Sequence, residues 1–107
     1  MNIVSSPLFE KQFKRLARKY PSLIDELEKL DTQLLENPFL GTPLGRGCYK
    51  IRIPIASKGS GKSGGARVVT CVRIVKDEIH LLSIYDKSEQ QSISNKDLKT
   101  LLKSLNL

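Results

Sequence analysis

Three strand-like runs in the second half of the chain constrain its fold more than any other feature. They cover residues 49–55, 66–75 and 78–85. The first alternates Tyr49, Ile51 and Ile53 with Lys50 and Arg52, a pattern typical of a half-buried strand, and the other two are richer in continuous apolar residues. Because a short glycine-rich loop and a tight turn connect them, we expect the three strands to pair in antiparallel fashion.

Helical patterns flank these runs. A short strand is predicted over residues 2–5, and Ser6 and Pro7 then favour a helix start, since a serine hydroxyl caps free N–H groups and proline suits the first helical position. Pro21 ends this helix and a second one follows, with Leu23, Leu27, Leu30 and Leu34 as its apolar stripe. The segment 38–48 is rich in Pro and Gly and is predicted to be a loop. Ser94 is predicted to cap a third helix near the C-terminus.

These elements predict a small α+β protein of a single domain, residues 1–107. The predicted order is β-α-α-β-β-β-α, an antiparallel sheet with the helices packed on one face. No repeat, linker or second domain is expected.

The distribution of charge points to an anionic partner. Between Asn37 and Lys76 there is no Asp or Glu, but eight Lys and Arg, and the formal net charge of the chain is +7. Such a surface suits a nucleic acid, an anionic membrane surface or an acidic protein. Without a membrane-length apolar run or a secretory signal, the chain is expected to be cytoplasmic, with Cys48 and Cys71 as free thiols.

Alternation of side chains predicts where the cations lie. If Ile51 and Ile53 face the helices, Lys50 and Arg52 point to the opposite, open face, and Arg67 joins them there, with Arg73 as a further candidate. Ser83 and Tyr85 share one face, whereas simple alternation places His80 on the other. A bulge in any strand would change this assignment.

The loop at 59–63 reads Gly-Ser-Gly-Lys-Ser, like the end of a nucleotide-binding P-loop. That motif needs a glycine where this chain has Ala56 and a helix directly after the serine, whereas a strand-like run follows here. We therefore interpret it as a flexible loop whose Lys58 and Lys62 can approach a phosphate. No cysteine or histidine spacing indicates a metal site, and no cofactor is predicted.

Taken together, Lys50-Ile51-Arg52, the glycine-lysine loop that leads to Arg67, and Leu82-Ser83-Ile84-Tyr85 with Lys87 resemble the HigB branch of the RelE/ParE toxin superfamily. The resemblance implies a ribosome-dependent endoribonuclease that cuts mRNA. It also implies an antitoxin partner that carries a helix-turn-helix DNA-binding domain. The catalytic residues that it implies are Lys50, Arg52, Arg67, Tyr85 and Lys87, and the residues implied to bind RNA are Lys58, Lys62 and Arg73.

In this interpretation Arg67 stabilises the charged phosphate and Lys50 or Arg52 shares that task. Lys50 is a candidate for the general base and Lys87 for the acid that protonates the leaving oxygen, whereas Tyr85 stacks on a base or donates its hydroxyl. The tyrosine and histidine that some relatives carry near the C-terminus have no counterpart here. Two alternatives stay open: a gyrase-inhibiting toxin of the ParE kind, and a non-catalytic module that binds RNA or an antitoxin.

Overall fold

A computed structural model describes residues 1–56, 65–90 and 92–105. Within them the chain forms five strands and three helices. In chain order these are β1 (Asn2–Ser5), α1 (Pro7–Lys19), α2 (Leu23–Glu36), β2 (Thr42–Gly45), β3 (Cys48–Ile53), β4 (Ala66–Arg73), β5 (Glu78–Asp86) and α3 (Asn95–Lys103).

The helix starts follow from local chemistry, as the sequence predicts. The Phe9 N–H donates to Ser6 Oγ (3.0 Å), and Pro7 occupies the first helical position of α1. The Asp97 N–H donates to Ser94 Oγ (3.0 Å) at the start of α3. Each hydroxyl satisfies one of the N–H groups that have no partner within the helix.

The strands form one mixed sheet with the order β1-β5-β4-β3-β2. The α+β class is confirmed, and β3, β4 and β5 pair antiparallel as expected. The edge strand β1 departs from that pattern because it runs parallel to β5, with Ile3 opposite Ile79. A parallel pair needs a long crossover connection, and most of the chain lies between these two strands.

The prediction that the whole segment 38–48 is a loop is wrong. Thr42 and Pro43 pair with Lys50 and Tyr49, so β2 adds a short edge strand beside β3. Proline fits there because the outer side of an edge strand needs no N–H donor. The hairpin turn consists of Arg46 (φ 59°) and Gly47 (φ 76°), and positive φ at both central residues is the backbone geometry that matches strand twist in two-residue hairpins.

One face of the sheet is covered by α1 and α2, and we call it the helix-pair face. Phe9 and Leu16 from α1 and Leu30 and Leu34 from α2 are almost completely buried against strand residues such as Val68. This cluster contains Phe9 and most of the fully buried leucine and isoleucine side chains of the described residues, and burying one leucine fully is worth roughly 1.5–3 kcal/mol.

The opposite face is covered in part by α3, and we call it the α3 face. Leu98 of α3 packs with Cys48, Val69, Cys71 and Leu82 of the sheet. The sequence predicted that all the helices share one face, whereas α3 lies on the opposite face from α1 and α2. The physical reason is that the middle of the α3 face carries apolar side chains, Val69, Cys71 and Leu82, which also need a cover.

A β-bulge in β5 sets which side chains reach the α3 face. Val69 pairs with Ser83 and Thr70 pairs with Leu81, which leaves Leu82 without a partner. Beyond the bulge, His80 pairs with Cys71. His80 and Tyr85 therefore lie on the same face, contrary to the simple alternation.

Gln12 of α1 completes the edge of β5 beyond β1. Its Oε1 accepts the Ile84 N–H (3.0 Å) and the Ser83 hydroxyl (3.0 Å). A side chain thus replaces the strand partner that β1 is too short to supply.

Candidate functional site

Three of the predicted site residues form a row across the α3 face. Arg52 of β3 is the direct partner of Arg67 of β4, and Arg67 is the direct partner of Tyr85 of β5. Direct partners on an antiparallel pair have Cβ atoms about 4.5–5.5 Å apart. We call Arg52, Arg67 and Tyr85 the arginine–tyrosine row.

The other two predicted catalytic residues lie beside this row. Lys50 is two positions before Arg52 on β3 and shares its face. Lys87 follows the end of β5, and its N–H donates to Gly65 O (3.2 Å), which places it next to the start of β4. The Asp86 carboxylate accepts the Ser88 N–H (3.0 Å) and so fixes the turn that carries Lys87.

Burial divides the row into an exposed and a covered part. Arg52 is exposed, whereas Arg67 and Tyr85 retain only 3% and 4% of their accessible surface. The expectation that Arg67 lies on an open face is therefore wrong, although it does share a face with Arg52. Alternation predicts on which face a side chain lies, but it does not predict what covers that face.

The electrostatics of the row favour the arrival of negative charge. Burial lowers the pKa of the Arg67 guanidinium, and the positive charge of Arg52 lowers it further. Two cations directly opposite each other across strands destabilise the sheet, and an anion between them relieves the repulsion.

Tyr85 has a buried hydroxyl that finds no hydrogen-bond partner within the described part of the chain. Burial raises the pKa of Tyr85, and the charge of Arg67 opposes that rise. A buried hydroxyl without a partner costs roughly 1–3 kcal/mol, so retaining one beside two arginines indicates a group that a ligand could engage.

The remaining predicted residues are not gathered at this row. Lys58 and Lys62 lie outside the described residues. Arg73 lies on the α3 face six residues after Arg67, which corresponds to roughly 20 Å along β4. Sequence alternation correctly groups Arg73 with Arg67 by face but does not show this separation.

Two further polar groups occupy the middle of the α3 face. His80 Nε2 lies 3.1 Å from Glu78 Oε1, and His80 is the strand partner of Cys71, which pairs with Cys48 on its other side. None of these residues borders the arginine–tyrosine row, since three residues of β4 separate Cys71 from Arg67.

The two cysteines are free, buried and directly opposite each other on β3 and β4. A hydrogen bond from Cys48 and the charge of Arg73 lower the pKa of the Cys71 thiol to about 7, against the effect of burial. The same hydrogen bond raises the pKa of Cys48. Cys71 is therefore the thiol of the pair that loses its proton first.

Among the residues that the structure describes, no group of three or more His, Cys, Asp or Glu side chains is placed to hold a metal ion. In the same part of the chain, no helix has the length and apolar character needed to cross a bilayer.

The fold and the arginine–tyrosine row define a small α+β protein with a basic site on one face of its sheet. Comparison with known proteins gives the family. Residues 8–106 match the model of the RelE toxin of the RelE/RelB toxin-antitoxin system, and the chain therefore belongs to the RelE toxin family. Family membership implies an antitoxin partner.

A solved structure supports the fold. The chain resembles a double arginine-to-alanine mutant of the E. coli toxin RelE in the free state, with a TM-score of 0.61. The two are 19% identical, and the match covers 84% of this chain and 86% of the RelE chain. At this identity the likeness concerns the architecture.

Proposed function

We propose that this protein is the toxin of a type II toxin-antitoxin pair and a ribosome-dependent endoribonuclease of the HigB-like kind, which cuts mRNA and so inhibits translation. The observation that carries the proposal is the arginine–tyrosine row, which places two guanidinium groups and a hydroxyl without a partner in the described residues side by side on adjacent strands. Membership of the RelE family supports the toxin class.

The reaction starts with attack of a ribose 2′-oxygen on the adjacent phosphorus. The P–O bond to the 5′-oxygen of the next nucleotide breaks, which leaves a 2′,3′-cyclic phosphate and a 5′-hydroxyl. A base takes the 2′ proton, cations stabilise the charged intermediate, and an acid protonates the 5′-oxygen. No metal is needed for these steps.

Arg52 and Arg67 stabilise the intermediate in this mechanism. A guanidinium presents two parallel N–H groups to two phosphate oxygens, which suits the trigonal bipyramidal intermediate. The exposed Arg52 meets the phosphate first. Arg67, beside it on the next strand, is buried, so substrate binding has to uncover part of its guanidinium.

Lys50 and Lys87 lie on either side of the row and are assigned the proton transfers. Lys50 is the base and Lys87 the acid, and the Tyr85 hydroxyl donates to a phosphate oxygen. Lys58 and Lys62 of the glycine-rich loop bind the RNA backbone.

The antitoxin, which in this proposal carries a helix-turn-helix domain, neutralises the toxin in the cytoplasm, where mRNA is translated. Its binding has to prevent RNA from reaching Arg52, because that is the exposed cation of the row.

The test is single-turnover cleavage of mRNA with the purified protein, with and without ribosomes. Arg52→Ala and Arg67→Lys should each lower the cleavage rate by roughly 100-fold, the usual cost of removing one donor to a charged intermediate. Arg18→Ala removes the same charge from the exposed surface of α1 and should cleave like the wild type. Thermal unfolding of Arg67→Lys checks that the buried site still folds.

Other results point to the alternatives. If Arg52→Ala and Arg67→Lys cleave at the wild-type rate, the proposed site is wrong. Inhibition of gyrase supercoiling without cut mRNA would indicate a toxin of the ParE kind. Binding without either activity would indicate a non-catalytic module.

A further inference from the structure

A second basic site lies on the α3 face, at the end of β4 that is remote from Arg67. It is a pocket of about 350 Å³ between α3, the end of β4 and the β2–β3 turn. Its described lining consists of four cations and one leucine: Arg46, Arg73, Lys99, Lys103 and Leu102. We call it the α3 pocket.

Within the described residues, none of the four cations forms an ion pair with a carboxylate. The ion pairs formed within the described residues all involve other cationic groups. Glu78 is the strand partner of Arg73, but its carboxylate lies 3.1 Å from His80 Nε2. The pocket therefore holds a concentration of positive charge that no ion pair among the described residues offsets.

The positions of the two lysines add to this charge. Lys99 and Lys103 are four residues apart on α3 and both are exposed. Side chains at this spacing are neighbours, about 5–6 Å apart at Cβ, and like charges there destabilise a helix. The same spacing allows the pair to contact consecutive charges of a polyanion.

Arg46 occupies a backbone position that disfavours arginine. Its φ of 59° falls in the left-handed region, and it lies between Gly45 and Gly47, which also have positive φ. Turns of this kind favour Asn, Asp or Gly at that position. The turn itself gains nothing from arginine, so the benefit of the residue has to come from its side chain, which lines the pocket.

We propose that the α3 pocket binds backbone phosphates of RNA, in a segment other than the one that is cut. The acid-free segment 37–76 supplies Arg46 and Arg73 to the pocket, and it also supplies Arg52 and Arg67 to the arginine–tyrosine row. One stretch of chain without carboxylates thus serves both sites, which favours the same class of ligand at each.

The RNA segment in the α3 pocket has to differ from the segment that is cut, because α3 lies between the two sites. Leu98 of α3 packs on Val69 and Cys71, in the middle of the roughly 20 Å between Arg67 and Arg73. An RNA strand bound at the arginine–tyrosine row would have to pass over or around this helix to reach the α3 pocket. The inference rests on the proposed function, because it takes ribosomal RNA as the source of the second segment.

The test measures binding to vacant ribosomes that carry no mRNA. The double variant Lys99→Gln/Lys103→Gln should bind at least roughly 10-fold more weakly at physiological salt. The slope of log K against log salt should fall by about 1–2, as expected for the loss of two phosphate contacts. Cleavage at saturating ribosome concentration should stay near the wild-type rate.

Two controls isolate the pocket. Lys76→Gln/Lys96→Gln removes the same charge from exposed positions outside the pocket and should bind like the wild type. Arg46→Asn replaces arginine with a residue that the turn favours, so it should keep or improve thermal stability while weakening ribosome binding.

The possible results separate the two proposals. If Lys99→Gln/Lys103→Gln binds vacant ribosomes as the control pair does, the inference is wrong, and the proposed function stands as long as mRNA is cut. If the pocket variants lose ribosome binding but the wild type cuts no mRNA, the pocket stands and the proposed function fails. A loss of antitoxin binding alone would assign the pocket to an acidic protein and overturn the inference.

Discussion

The two faces of the sheet differ in what fills them. The helix-pair face is covered by two helices of 13 and 14 residues and is filled by large apolar side chains such as Phe9, Leu16 and Leu30. The α3 face is covered by one helix of nine residues and carries the buried Arg67, the buried Tyr85 and the cysteine pair. Stability thus depends chiefly on one face, which leaves the other face free to hold groups that cost stability.

The largest expected difference between the two faces is the loss of stability when a leucine that packs there is shortened to alanine. Leu16→Ala should destabilise the protein by roughly 2–5 kcal/mol, because the fully buried leucine leaves a cavity under α1. Leu102→Ala on the half-buried side of α3 should cost only about 1 kcal/mol. Urea unfolding of both variants checks this, and equal losses would show that α3 belongs to the same cooperative core.

The second largest effect on stability is expected from oxidation of the two cysteines on the α3 face. Strand partners have Cα atoms about 4.5–5.5 Å apart, within the range that a disulfide spans, so glutathione disulfide should link Cys48 to Cys71 with little backbone movement. Closing this loop should stabilise the fold by about 3 kcal/mol.

Denaturant unfolding before and after oxidation measures that gain. The reaction should be faster at pH 8 than at pH 6, because the pKa of Cys71 is about 7 and its thiolate is the attacking species. Cys48→Ser is the control, since it leaves no partner thiol. If no intramolecular disulfide forms in the wild type, the packing of α3 excludes the oxidant.

Tyr85→Phe should separate stability from activity on the α3 face. The Tyr85 hydroxyl is buried without a partner in the described residues, so its removal should leave stability unchanged or raise it by about 1 kcal/mol. Cleavage should fall by roughly 100-fold if the hydroxyl donates to the reacting phosphate. Single-turnover kinetics and thermal unfolding test both parts. Wild-type cleavage would show that the hydroxyl is not used.

The smallest effect is expected from an acid on the helix-pair side. Burial, and then Glu28, raise the pKa of Asp31, whose Oδ1 has no partner in the described part of the chain. A raised pKa in the folded state favours the protonated form, so this carboxyl lowers stability as pH rises through that pKa.

Asp31→Asn should therefore stabilise the protein by about 1 kcal/mol or less at pH 7, and the gain should shrink towards pH 3. Asp25→Asn is the contrast, since an exposed carboxylate in the first turn of α2 favours the helix. A gain for Asp31→Asn that does not vary with pH would contradict the electrostatic explanation.

Much of the fold could be predicted from local sequence chemistry. Ser6 with Pro7, and Ser94, fix the starts of two helices, and the apolar runs locate the three central strands. β2 escaped prediction because its residues, Thr42–Gly45, are those of a loop, and only pairing with β3 makes them a strand. The face that α3 covers was also not predictable, because β4 has apolar residues on both faces, Val68 on one and Val69 on the other.

For the candidate site, the sequence could predict which residues share a face of the sheet. It could not predict how deeply each side chain is buried. Alternation correctly places Lys50, Arg52 and Arg67 together. It misplaces His80, because the unpaired Leu82 shifts the phase of β5, and no residue type in that strand signals a bulge. The burial of Arg67 and Tyr85 depends on tertiary packing, which periodicity does not encode. The roles of the site residues remain predictions.

The bulge at Leu82 gives β5 one residue more than its pairing with β4 requires. Deletion of Leu82 would join Leu81 to Ser83 and restore regular alternation, so Ile79 and Leu81 would stay on the helix-pair face and His80 and Glu78 on the α3 face. β5 should therefore tolerate the loss of this residue better than the insertion of another one, which would turn the side chains on one side of the insertion to the opposite face.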